Sequence, residues 1–217
     1  MTIEEHPLEP FLPQKAKMLF LGSFPPPQTR WSMSWFYPNY QNDFWRIQGL
    51  IHFGDRHHFE VPDERRFDKD SVVTFCEEKG IALFDTARKV CRLKDNADDN
   101  FLEIVEGTDV FALLEQMPDC RIIVTTGGKA SEELQAYLEK QGVKVQVPKV
   151  GDHVGFPVTI NPERTSAQTS AMLSSERTMH WYRMPSSSRA YPMKLEKKAE
   201  HYQRLWDALI NEKIDVI

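Results

Sequence analysis

Three short apolar segments, each ending in a polar or glycine-containing turn, restrict what this chain can fold into. They are KMLFLG (17–22), GIALFDT (80–86) and RIIVTTGG (121–128). A run of this length bounded by turn residues is typical of a buried strand, because helices are usually roughly ten or more residues long. Buried strands that alternate with helical segments form a parallel sheet covered on both faces. The sequence therefore predicts an α/β fold, a three-layer α/β/α sandwich with a central, mostly parallel sheet.

The segments between and after these runs show helical spacing of their apolar residues. Five helices are predicted, in NDFWRIQGLIHF (42–53), KDSVVTFCEEKG (69–80), GTDVFALLEQMPDC (107–120), KASEELQAYLEKQG (129–142) and KLEKKAEHYQRLWDALINE (194–212). Three further strands are predicted in KVQVPKV (144–150), FPVTI (156–160) and TMHWYRM (178–184). The last two flank an irregular excursion at about 151–177. No linker or internal repeat divides the chain, so we expect one domain over residues 1–217.

Composition excludes several classes of protein. No apolar stretch is long enough to cross a bilayer, and the acidic start MTIEEHPLEP lacks the features of a secretory signal, so we expect a cytoplasmic protein. The net charge is -5, which argues against a uniformly basic surface. Cys76, Cys91 and Cys120 form no CxxC pair. We expect them to be buried reduced thiols, with no disulfide framework, iron–sulfur cluster or zinc ribbon.

The loop after the first strand is rich in flat rings and amides. In a sheet of this kind ligands bind at the carboxyl ends of the strands, where this loop falls. Phe36 and Tyr37 offer a stacking surface and Asn42 offers both a donor and an acceptor, a combination that suits a nucleobase. The alternative is that these rings pack inside the protein. Asp85, at the end of its strand, is expected to form a structural ion pair with Arg88.

Five stretches, in order, resemble the uracil-DNA glycosylase superfamily. They are LFLGSFPPP, FYPNYQNDFW, GIALFDT, a strand followed by a Gly-Gly-Lys turn, and MPSSSRAYP before a terminal helix. The resemblance spans nearly the whole chain and is strongest to the hypoxanthine-DNA glycosylase and mismatch-specific uracil-DNA glycosylase branches. It implies a monofunctional enzyme of base excision repair that flips uracil or hypoxanthine out of double-stranded DNA. Such an enzyme hydrolyses the N-glycosidic bond with water and needs no metal or other cofactor.

The first motif of that superfamily corresponds here to a turn that would contact the base. Its members in this chain are Gly22, Ser23, Phe24 and Pro25. Many members carry Asp or Asn where Phe24 stands, and a phenyl ring cannot position water. The resemblance to the hypoxanthine branch therefore assigns that role to an amide of the next loop, with Asn42 as first choice and Asn39 as second. Tyr37 corresponds to the aromatic residue that stacks on the base.

The second motif corresponds to the turn that begins at Pro185. The resemblance implies that Ser186, Ser187 and Ser188 hold phosphates beside the flipped nucleotide. It also implies a wedge residue that fills the gap in the duplex, either Arg189 or Tyr191. Some members carry His where Met184 stands. Separately, Lys129 follows two glycines at a strand-to-helix turn and is a candidate phosphate contact at the helix N-terminus, or else a surface lysine.

Two other functions stay open from the sequence. One is a catalytically inactive module of the same fold that only binds nucleic acid or nucleotides, having lost the usual carboxylate or amide at Phe24. The other is a hydrolase of free nucleosides, which would lack a phosphate grip at 186–189. The position of Asn42 distinguishes the inactive binding module from an enzyme. If its amide only caps the following helix, the binding module is favoured. We expect a monomer, and the sequence does not distinguish uracil from hypoxanthine.

Overall fold

A computed structural model describes residues 2–93, 101–160 and 175–211, without the side chains of residues 160, 175, 210 and 211. Its described strands form two sheets. The larger has five strands in the order β3-β2-β6-β8-β7, and the smaller has three in the order β1-β4-β5. The strands are β1 (Ile3–Glu5), β2 (Met18–Gly22), β3 (Ile81–Asp85), β4 (Ala87–Arg92), β5 (Leu102–Gly107), β6 (Ile122–Thr126), β7 (His153–Ile160) and β8 (Ser175–Met184).

The five-stranded sheet is the predicted central sheet. Strands β2, β3, β6 and β8 run parallel, and β7 pairs antiparallel with β8 at one edge. Every residue of β2 is buried, as expected for a parallel strand covered on both faces. The expected hairpin around the excursion at 151–177 is present as β7 and β8, while residues 161–174 lie outside the described part of the chain.

The prediction of a strand at 144–150 is wrong, because that segment is irregular. The sheet edge beside β8 is already occupied by β7, and Pro148 lacks the N–H group that a ladder would need. The three-stranded sheet was not anticipated. Its strand β4 begins two residues after β3, and β1 pairs with it antiparallel from the start of the chain.

Helices cover the central sheet in all five predicted segments, although α3 is shorter than the predicted 107–120. They are α1 (Phe44–Phe53), α2 (Lys69–Lys79), α3 (Val110–Glu115), α4 (Gly128–Lys140) and α5 (Leu195–Asn211). The side chain of Asp68 accepts hydrogen bonds at the start of α2, and Gly80, with φ of 66°, ends it in the left-handed conformation. Helix α5 packs against α1 and β8. This contact brings α5 to the loop that precedes α1.

The core around the central sheet is mostly apolar. Buried side chains of β2, β3, β6 and β8 pack against those of the helices. Cys76, Cys91 and Cys120 are buried free thiols, as predicted. No helix in the described ranges is long and apolar enough to span a membrane.

Candidate functional site

The carboxyl ends of the four parallel strands meet at one edge of the sheet, as predicted. These strands end at Gly22, Asp85, Thr126 and Met184. The loop 23–43 and the turn that begins at Pro185 both start from this edge. The sheet topology therefore brings the two predicted motifs to the same place.

Gly22 lies directly beside the carboxylate of Asp85. The two residues are register partners in β2 and β3, and a Cβ atom at Gly22 would lie only 2.3 Å from Asp85 Oδ1. Asp85 Oδ2 lies 2.9 Å from Nε2 of His6, whose side chain is 2% exposed. The prediction that Asp85 pairs with Arg88 is therefore wrong: Asp85 pairs with His6, and Arg88 Nη2 lies 3.9 Å from Glu9 Oε2. A fixed carboxylate thus stands at the site edge.

The proline-rich turn after Gly22 is held through its carbonyl groups. Arg92 Nη2 donates to the Pro25 carbonyl at 2.6 Å, and Trp31 Nε1 donates to the Pro26 carbonyl at 2.8 Å. The Phe24 ring is 8% exposed and packs into a small second core beside the three-stranded sheet, with Ala87, Val90, Leu102 and Ile104. Phe24 can therefore face a ligand only through its backbone.

Tyr37 lies at the centre of the loop. Its ring stacks on Phe44 with centroids 3.7 Å apart and planes 7° apart, and its hydroxyl lies 3.1 Å from Thr126 Oγ1. Burial raises the pKa of this phenol. Tyr37 also has φ of 49°, a left-handed conformation that is uncommon outside glycine. One ring face is thus covered by Phe44, so any further stacking partner must use the opposite face.

Asn42 has two structural roles. Its Oδ1 accepts the N–H of Phe44 at 2.8 Å, which closes a turn at the start of α1. Its backbone also forms an isolated antiparallel bridge with Ser188, and the N–H of the next residue, Asp43, donates to Ser187 O at 2.9 Å. The candidate amide is therefore joined to the predicted phosphate-binding turn. An amide oxygen has two lone pairs, so the turn leaves one for a water.

A buried ionic cluster lies directly behind this junction. Lys198 has 0% exposure and Asp43 has 6%. Lys198 Nζ donates to Asp43 Oδ2 at 3.0 Å and to Ser188 O at 2.7 Å, and Arg189 Nε donates to Asp43 Oδ1 at 3.1 Å. Lys198 was not among the candidate site residues named from the sequence. The available signal was its place three residues after Leu195 and four before Tyr202, on the apolar side of α5.

The remaining predicted residues lie at several positions around this junction. Asn39 Oδ1 accepts the N–H of Gln41 at 2.9 Å. Lys129 lies in the first turn of α4, where its Nζ is 3.1 Å from Glu133 Oε1. Ser186 is half-buried, Ser187 buried and Ser188 exposed. The side chain of Arg189 is 48% exposed, and Tyr191 is half-buried. In the ranges the structure describes, no three His, Cys, Asp or Glu side chains are grouped to hold a metal ion.

Comparison with solved structures identifies the class of fold. The chain resembles the solution structure of a protein from Methanosarcina acetivorans described as a "putative uracil DNA glycosylase". The TM-score is 0.58 at 20% identity, over 95% of this chain and 99% of the other. No protein-family model and no curated protein matches the sequence. The fold is therefore that of a uracil-DNA glycosylase-like protein, in agreement with the resemblance in the sequence motifs.

Proposed function

We propose that this protein is a monofunctional DNA glycosylase of base excision repair. It removes a deaminated base, uracil or hypoxanthine, that has been flipped out of double-stranded DNA, and leaves an abasic site. In this proposal residues 1–217 act as one domain and as a monomer in the cytoplasm, with no metal or other cofactor. The bond broken joins C1′ of the sugar to the base nitrogen, and water supplies the new oxygen.

The observation that carries the proposal is the junction of Asn42 with the Ser186–Ser188 turn. Hydrolysis of this bond needs a water held at C1′ while the phosphates on either side are gripped. The bridge between Asn42 and Ser188 supports placing both functions on one rigid unit. Asn42 is the water-positioning group of the proposal, and Asn39 is its less favoured alternative, because Asn39 lies in a separate surface depression.

Base recognition is proposed for the edge formed by Gly22, Ser23, Phe24 and Pro25. Among the described residues, no carbonyl accepts the main-chain N–H groups of Ser23 and Phe24, so both are available to stabilise negative charge that grows on the departing base. Tyr37 is proposed to stack on the base. Asp85 is a fixed acceptor at this edge, and both uracil and hypoxanthine carry an N–H beside a carbonyl.

The DNA backbone is proposed to lie along the turn after β8. The small hydroxyl groups of Ser186 and Ser188 allow close approach to phosphates, and Ser187, which is buried, is the least favoured of the three. Arg189 or Tyr191 is the proposed wedge; the exposed side chain of Arg189 is tethered to Asp43 through Nε only, which leaves the rest of its guanidinium group for DNA. Lys129 is a weaker candidate for a phosphate contact, since Glu133 already neutralises it.

A second candidate is a module of the same fold that binds nucleic acid without cutting it. The hydrogen bond from Phe44 N–H to Asn42 Oδ1 favours it, because this bond gives the amide a structural role that needs no chemistry. The packing of the Phe24 ring into a core points the same way, since the first motif then offers no carboxylate or amide to act on water.

The experiment uses end-labelled duplexes that carry a single uracil, hypoxanthine or xanthine, treated with alkali after incubation. Wild type is compared with Asn42→Ala, Asn42→Ser and Asn39→Ala. Serine keeps an oxygen that can accept the Phe44 N–H but lacks the amide, so it separates the turn from the chemistry. We expect both Asn42 variants to lose about a hundredfold or more in single-turnover rate and Asn39→Ala to stay active. Salt-sensitive DNA binding with no strand scission by wild type would instead establish the binding module.

A further inference from the structure

A surface depression lies along the loop 28–41. It has a volume of about 460 Å³ and is open to solvent. Its lining consists of Arg30, Asn39, Tyr40, Gln41 and Arg65. Three of these five residues directly precede Asn42, so the depression and the proposed catalytic amide share one short stretch of backbone.

The lining is cationic and contains no acidic side chain. Within the described ranges, no carboxylate pairs with Arg30 or Arg65, whereas the neighbouring Arg66 is paired with Glu64. The guanidinium carbon of Arg65 lies 5.9 Å from the centre of the Tyr40 ring. Tyr40 is itself held, because its hydroxyl donates to Glu60 at 2.6 Å. The guanidinium group of Arg65 therefore lies near an aromatic ring whose position is fixed.

The amide groups of the depression add further donors. Asn39 Oδ1 accepts the N–H of Gln41, and the NH₂ group of Asn39 supplies two donors. Gln41 is exposed and carries another NH₂ group. Two guanidinium groups and two amides around one depression, with no competing carboxylate, match an anion that has several oxygen acceptors.

We propose that this depression binds a phosphate of the DNA backbone, outside the nucleotide that is flipped. The inference rests on the proposed function for the identity of the strand, and it adds a phosphate contact separate from the Ser186–Ser188 turn. Two guanidinium groups recognise the charge of a phosphate and not the base sequence. The contact therefore strengthens binding to all DNA sequences alike. It anchors the strand next to Asn42 and takes no part in bond cleavage.

The test measures binding of a fluorescent duplex with an uncleavable abasic-site analogue, by anisotropy, between about 50 and 200 mM salt. Variants are Arg30→Ala, Arg65→Ala and the pair, with Arg66→Ala as the matched control. Loss of one phosphate contact makes the negative slope of log K against log salt shallower by about 0.9. We expect that decrease in the double variant on both damaged and undamaged duplexes, with Arg66→Ala unchanged and the single-turnover cleavage rate at saturating enzyme unaltered.

Other outcomes overturn the inference without touching the proposed function. A wild-type slope in the double variant, with lesion cleavage intact, would show that the depression does not meet DNA. Binding of inorganic phosphate by the wild type that is lost in the double variant, again with an unchanged DNA slope, would assign the depression to a free anion. Failure of the proposed function gives a different result. DNA binding would show the expected slope change, but neither the wild type nor any variant would cut a lesion.

Discussion

Lys198 and Asp43 form a buried ion pair that ties the last helix to the start of α1. The Nζ to Oδ2 distance is 3.0 Å across 155 residues of sequence, and the same ammonium group donates to Ser188 O at 2.7 Å. Lys198 therefore fixes how the Asn42 loop and the Ser186–Ser188 turn lie relative to each other. It is a positioning residue of the proposed site, since it reaches the DNA only through these two segments.

Replacing Lys198 by Met is expected to lower the free energy of unfolding by about 3 kcal/mol, because it leaves Asp43 as a buried charge with Arg189 as its remaining partner. Urea denaturation measures the change. The double variant Lys198→Met with Asp43→Asn should recover part of the loss, since the unpaired charge is gone. A loss below about 0.5 kcal/mol in the single variant would contradict the burial of this pair.

Gly22→Ala is expected to disturb the site edge. The new Cβ would lie 2.3 Å from Asp85 Oδ1, so either strand end or the Asp85–His6 contact must shift, at a cost of about 1–3 kcal/mol. Thermal unfolding and lesion cleavage both report the change. Gly107→Ala is the matched control, because its Cβ would meet nothing nearer than Thr86 O at 3.8 Å, and it should stay within about 0.5 kcal/mol of wild type.

Two substitutions of Tyr37 distinguish the effect of its hydrogen bond from the effect of stacking on a base. Tyr37→Phe removes the contact with Thr126 and should cost about 1 kcal/mol of stability, with cleavage largely retained. Tyr37→Ala keeps a side chain at the same left-handed φ but removes the ring. We expect it to weaken binding of an uncleavable flipped-base analogue by about 1–3 kcal/mol. Equal affinities of the two variants would mean that Tyr37 does not stack on the base.

His52 predicts a pH dependence of stability away from the site. Burial, assisted by the charge of Lys79, lowers the pKa of His52 from 6.5 to about 4. Between these values the unfolded chain binds a proton that the folded protein does not, so the free energy of unfolding falls as pH drops from 6.5 towards 4. Denaturant titrations across this range should show a shallower fall for His52→Leu. Ile51→Val, which removes no titrating group, should keep the wild-type slope.

Much of the fold could be predicted from local patterns. The strand in KMLFLG and the helix ended by Gly80 depend on residues within a few positions of each other, namely a short apolar run, a cap and a residue that tolerates positive φ. The strand predicted at 144–150 is absent for one local and one nonlocal reason. Pro148 lacks the N–H group that a ladder would need, and β7 occupies the sheet edge beside β8.

In the candidate site too, some residues could be predicted from the sequence and others could not. The motif residues Gly22, Tyr37 and Asn42 could be named from their order along the chain, since the carboxyl ends of parallel strands must meet at one edge. The pair of His6 with Asp85 spans 79 residues and that of Asp43 with Lys198 spans 155. Periodicity carries no information about such pairs.

The local pattern of residues was enough to predict an α/β sandwich with an aromatic and amide-rich loop at the carboxyl ends of its strands. Which carboxylate and which lysine are buried there, and which groups hold them, could be seen only in the folded protein. Strand and helix formation follows local apolar spacing. A buried charge, by contrast, is tolerated only where distant segments happen to supply its partner, and that depends on how the whole chain packs.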